Sequence, residues 1–76
     1  MLKDLVEYLV KNIAEHPEKI AIEEIQDRES ITVEIRCPEE EKGRLIGRGG
    51  KTIKAIRLLA KVWAGLKQQK ADVRIL

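Results

Sequence analysis

Apolar positions near the start of the chain recur at three- and four-residue steps. Leu2, Leu5, Val6, Leu9, Val10 and Ile13 line one helical face, with Lys3, Asp4, Glu7, Lys11 and Glu15 on the other. The spacing predicts an amphipathic helix that stops near His16, because Pro17 disfavours helical geometry in the residue before it. From Ile20 to Ile25 and from Ile31 to Cys37 the residues turn β-branched, and Ile31, Val33, Ile35 and Cys37 alternate with Thr32, Glu34 and Arg36. Two strands follow, joined by the short polar stretch Asp27-Arg28-Glu29-Ser30 as an antiparallel hairpin. In the first strand Ile20 and Ile22 share one phase while Ala21 and Ile25 share the other, which a bulge or an early strand end would explain. Cys37 falls on the inward phase and reads as a small buried hydrophobe rather than a reactive thiol.

Pro38 followed by three glutamates marks a helix start, with the acids facing the positive dipole end, and that short helix runs to about Ile46. A glycine-rich tetrad interrupts it, and a longer helix extends from about Lys51 to Lys67. The run Ala71-Asp72-Val73-Arg74-Ile75-Leu76 alternates as a last strand, parallel to one hairpin strand because a helical crossover precedes it. The order is α-β-β-α-α-β, an α+β fold with a three-stranded mixed sheet packed against helices, in one domain over residues 1–76.

On the longer helix Lys54, Arg57, Lys61 and Gln68 form a narrow polar strip. Residues Ile53, Ile56, Leu59, Val62, Trp63 and Leu66, with their apolar neighbours, sweep roughly 220°, about twice what one packed face of a surface helix requires. Part of that arc must cover the sheet. The remainder suits a ligand groove beside the glycines or a second subunit, unless the first helix wraps round and buries it.

Charge changes the picture more than composition does. The formal net charge of +2 conceals a division: residues 1–41 carry five Lys or Arg against twelve acids, residues 42–76 ten against the single acid Asp72. Such segregation in a short chain is the electrostatic footprint for an anion on its basic half. One cysteine excludes an internal disulfide, and one histidine with no Cys or His cluster leaves no metal site and no expected cofactor. The first residues hold acids and no long apolar run, so the chain reads as neither secreted nor membrane-spanning, and a cytoplasmic location is expected.

The basic half contains Leu45-Ile46-Gly47-Arg48-Gly49-Gly50-Lys51-Thr52-Ile53. Glycines let a polyanion approach the main chain, the next helix presents its positive end there, and Arg44, Arg48, Lys51 and Lys54 ring the turn with cations. Ile53 is a core position, whereas Ile46 both anchors the loop and lines the cleft. Gly50-Lys51-Thr52 imitates the end of a nucleotide-binding P-loop, but the required first glycine would fall at Leu45 and a helix leads into the turn. The absence of Phe excludes modules that stack bases on several aromatics. Trp63 lies about three turns beyond the tetrad, too far to stack on a base held there, and reads as a core or dimer-contact residue. No nucleophile, base and orienting group can be assembled, so an enzyme is not expected.

Ile46-Gly47-Arg48-Gly49-Gly50-Lys51-Thr52-Ile53 resembles the IGxxGxxI signature of KH domains, with Gly47-Arg48-Gly49-Gly50 as the GXXG loop. The element order resembles the type II arrangement, and the whole chain is similar to the small bacterial stand-alone KH proteins of the KhpA (YlqC) kind. The resemblance implies single-stranded RNA binding, with about four nucleotides held between loop and sheet edge. It places Gly47 and Gly50 at the tight turn and Arg48 and Gly49 against phosphate. The RNA-binding set is then Arg44, Ile46, Gly47, Arg48, Gly49, Gly50, Lys51 and Lys54. It further implies an RNA chaperone or post-transcriptional regulator linked to cell elongation and division, acting as a homodimer or as a heterodimer with a larger RNA-binding protein of the Jag (KhpB) kind. A different class of function stays open beside it: a protein-interaction adaptor with a KH fold and weak RNA affinity, whose apolar helix is the working surface.

Overall fold

The computed structural model describes residues 1–76. In chain order the elements are α1 (Leu2–Ile13), β1 (Ala21–Gln26), β2 (Ser30–Arg36), α2 (Glu39–Ile46), α3 (Lys51–Gly65) and β3 (Lys70–Ile75), with 3-10 turns at Pro17–Lys19 and Arg48–Gly50. This is the expected α-β-β-α-α-β order. The sheet runs β1-β2-β3. β1 and β2 are antiparallel from Ala21 opposite Arg36 to Gln26 opposite Ile31. β3 is parallel to β2 from Lys70 opposite Ser30 to Ile75 opposite Ile35.

The hairpin turn is held by one carboxylate: Asp27 Oδ1 accepts the backbone N–H groups of Glu29 and Ser30, each at 2.9 Å. These two bonds and the Ser30 hydroxyl keep the Asp27 pKa below the usual aspartate value. The pairing of β1 with β2 is continuous, so neither a bulge nor an early end breaks the strand. Its irregular pattern has a simpler cause. Ile22 points into the core, and Ile25, three residues on, points out and is 53% exposed.

Leu2, Val6 and Val10 of α1 pack with Ile53, Ile56 and Ala60 of α3 over Ile31, Val33, Ile35 and Val73 of the sheet. Burying each larger aliphatic side chain here contributes about 1.5–3 kcal/mol. The core does not absorb the whole of α3. Leu58, Leu59, Val62 and Leu66 stay exposed, so α1 does not wrap round them. Trp63 is half-buried against the core, with Lys67 Nζ 5.1 Å above its ring.

The strand limits fall one residue from those expected, and three boundaries call for separate description. α1 ends at Ile13 rather than near His16, because the backbone N–H groups of Glu15 and His16 turn away to the carboxylate of Glu41. α3 ends at Gly65 rather than Lys67, because Gln68 adopts a left-handed conformation (φ 58°) and Gln69 N–H closes on Ala64 O at 2.9 Å. β2 ends at Arg36, leaving Cys37 just beyond it and half-buried rather than in the core. Desolvation still pushes its thiol pKa up. No helix is long and apolar enough to cross a membrane.

Candidate nucleic-acid interface

α2 delivers the glycine tetrad from a fixed base. Pro38 caps the helix at its N-terminus, Glu39, Glu40 and Glu41 occupy its first turn, and Leu45 is fully buried two residues before the tetrad. Ile46, the last residue of α2, is 40% exposed at the mouth of the loop. Gly47 then leaves the helix at φ 79°, its N–H still bonded to Gly43 O at 2.9 Å. A Cβ at this position would overlap the Thr52 side chain and come within 2.8 Å of its backbone nitrogen. Gly47 is therefore required twice, by its left-handed backbone and by the close return of α3.

Arg48, Gly49 and Gly50 wind a single turn, with Gly50 N–H bonded to Gly47 O at 3.0 Å and Lys51 N–H to Arg48 O. Two of the amides expected to face phosphate are occupied inside the turn, which shifts the emphasis to the cations. Gly49 has open space around it, so its glycine answers to its φ of 66° rather than to crowding.

α3 starts without a side-chain cap and with no acid in its first turn, leaving its positive end uncompensated. Arg48, Lys51 and Lys54 are exposed around that end. None of the eight Lys and Arg residues from Arg48 onward forms an ion pair; the ion pairs lie within residues 1–41 or join them to Lys42 and Arg44. Arg44 is the exception within the expected set: its Nη2 lies 3.2 Å from Glu15 Oε2 and is drawn toward the acidic side. Leu45, Ile53 and the tetrad thus hold Ile46, Arg48, Lys51 and Lys54 at one end of the molecule, with Arg44 at its border.

The basic strip continues along α3. Lys54 Cε sits 3.8 Å from where a Gly50 Cβ would be. One turn on, Arg57 Nε donates to Val73 O of β3 at 3.0 Å. Another turn on, Lys61 lines an open pocket of about 370 Å³ with Gln69, Lys70 and Ala71. The result is a cationic seam between α3 and the free edge of β3, starting at the glycine turn.

Glu41 was not legible as a structural residue, since three consecutive glutamates after Pro38 read as helix-start acids. It is 1% exposed, and its two oxygens accept Glu15 N–H at 3.1 Å and His16 N–H at 2.6 Å. Burial alone would raise its pKa. The two backbone bonds, with the His16 and Arg44 charges, outweigh that and hold it below the ordinary glutamate value. The only sequence signal is its phase, four residues before Leu45 on the inward face of α2.

Two helices joined by a GXXG turn, set on a mixed sheet with a parallel β2–β3 pair, define a type II KH domain. A family model described as KhpA/KhpB, KH domain matches residues 3–75. The chain belongs to this KhpA/KhpB KH-domain family. Proteins named RNA-binding protein KhpA are similar to it along nearly their whole length: 35% identity in Chlamydia caviae, covering 99% of this chain and 96% of that one. The Clostridium perfringens protein is likewise 35% identical, with 99% and 100% covered. Among solved structures, Aquifex aeolicus Era bound to GDP and aluminium fluoride aligns with a TM-score of 0.70 at 20% identity. Era in complex with MgGDPNP and nucleotides 1506–1542 of 16S ribosomal RNA aligns with the same score. Both alignments cover 99% of this chain and 30% of the Era chain, so the likeness is one of fold.

Proposed function

We propose that this protein binds single-stranded RNA, without catalysing a reaction, by laying the sugar-phosphate chain over the Gly47–Gly50 turn and against Arg48, Lys51 and Lys54. The observation that carries the reading is the set of unpaired cations gathered from the uncapped start of α3 along its seam with β3. The relatives' name, RNA-binding protein KhpA, points the same way. The exposed stripe of Leu58, Leu59, Val62 and Leu66 favours pairing through α3, as a homodimer or with a second KH protein of the Jag (KhpB) kind. One domain that grips a few nucleotides gains avidity from such pairing, which suits an RNA chaperone or post-transcriptional regulator in the cytoplasm.

The same stripe supports the second reading, an adaptor whose business is protein contact. Affinity for a short single-stranded RNA, measured against salt, separates the two. Phosphate clamping predicts a steep fall in affinity as salt rises, and near-complete loss in the double variant Arg48→Asp, Gly49→Asp. Salt-independent binding, or a tight dimer blind to RNA, would favour the adaptor.

A further inference from the structure

Asp72 is the one acid after Glu41, and it stands beside the cationic seam. Lys70 N–H bonds to Glu29 O and Leu76 N–H to Ile35 O, so the even-numbered positions of β3 turn their backbone groups toward β2. Val73 therefore turns both its N–H and its C=O to the free edge. Both groups are engaged by side chains. Asp72 Oδ1 accepts Val73 N–H at 2.9 Å, and Arg57 Nε donates to Val73 O at 3.0 Å. Asp72 Oδ2 and the two Arg57 Nη groups have no partner in the chain, and the two side chains do not pair with each other.

A carboxylate fixed beside a polyanion's path repels phosphate, so its gain must come from a base. Single-stranded RNA is read on the Watson–Crick edges of unstacked bases. A carboxylate recognises adjacent N–H donors, and a guanidinium recognises an acceptor. Among the four ribonucleobases only guanine presents two adjacent donors, N1–H and N2–H2, next to an acceptor, O6. Arg57 lies two turns along α3 from Gly50, about 10 Å at 1.5 Å per residue. A nucleotide whose phosphate rests on the turn extends its base over that distance.

We propose that Asp72 and Arg57, both braced on Val73, select guanine at one position of the bound strand. The Asp72 carboxylate accepts N1–H and N2–H2, and the free Arg57 Nη groups donate to O6. This rests on the single-stranded RNA reading above and adds a base preference to it.

The test is fluorescence anisotropy with oligouridylates carrying one central G, inosine, A or C. The wild type binds the G oligomer about tenfold tighter than the A or C oligomers, with inosine, which lacks the N2 amine, between them. Asp72→Asn keeps an oxygen for Val73 N–H but replaces the second acceptor with a donor, and its affinities for the four become equal. Arg57→Lys, a second variant whose donors all sit on one nitrogen instead of a planar fork, loses part of the preference. Circular dichroism melts confirm that both variants fold. Equal binding of all four by the wild type, a preference for A or C, or an Asp72→Asn protein that keeps its G preference overturns the base assignment and leaves RNA binding standing. Absence of binding to every oligomer overturns both.

Discussion

The carboxylate of Glu41, on the helix that carries the glycine turn, accepts the backbone N–H of His16 at 2.6 Å across the end of α1. With Glu15 N–H on its other oxygen, this one side chain ties the N-terminal helix to the loop-bearing half and sets where α1 stops. Removing it leaves two part-buried amides without acceptors. Glu41→Ala therefore lowers Tm on the order of 10 °C, measured by thermal circular dichroism, and Glu41→Gln, which keeps one oxygen, lowers it less.

The same group sets an acid limit. A carboxylate whose folded pKa is depressed contributes stability that is present above its unfolded value and lost as pH falls through the folded one. The ordinary value for Glu41 is 4.5 and for Asp27 is 3.8, and both are lowered by backbone N–H bonds. Tm is accordingly flat with respect to these groups at neutral pH and falls as pH drops below about 4.5. In Glu41→Gln that acid dependence is shallower. A variant that loses Tm in parallel with wild type between pH 5 and pH 2, on the order of the same slope, would show that Glu41 is not the linked group.

Gly47→Ala meets both a φ of 79° and the backbone nitrogen of Thr52. The expected cost is about 2 kcal/mol or more in denaturant unfolding, with RNA affinity reduced as well. Trimming the neighbour does not repair it: Gly47→Ala with Thr52→Ala stays destabilised, because the backbone contact remains. Gly49→Ala, with open space but φ 66°, costs less, about 1 kcal/mol.

Cations divide by their surroundings. Lys54→Ala, beside the turn and unpaired, reduces the slope of log affinity against log salt by about one. Arg44→Ala changes it less, since Arg44 already faces Glu15 at 3.2 Å. Filter binding at four salt concentrations reads both.

The apolar stripe on α3 is tested away from RNA. Val62→Glu places a charge at a residue that is 55% exposed. Monomer stability shifts by no more than about 0.5 kcal/mol, while in sedimentation velocity the dimer proposed for the wild type is lost.

The sequence made the element order, the parallel final strand and the glycine turn legible because each rests on local signals: the apolar period, Pro17 and Pro38, and the tetrad itself. Much of what it concealed depends on contacts distant along the chain. Glu41 and the early end of α1 explain each other across 25 residues, and neither is visible alone. Arg57 reads from the sequence as part of a narrow polar strip, and its acceptor, Val73 O, lies 16 residues later where the pattern gives no sign of it. Ile25 suggested a distorted strand when it was simply an exposed apolar residue, since periodicity marks phase and not whether a face is covered. Gln68 ended α3 in a left-handed conformation that its residue type does not advertise.

The tetrad already holds its wound shape, closed by Gly50 N–H on Gly47 O. A flexible linker would have to surrender its freedom when an incoming strand arrived; a bend already wound this way surrenders less. For the RNA binding proposed above, encounter is then steered by the unneutralised end, and differences in affinity between strands fall mainly on residence time.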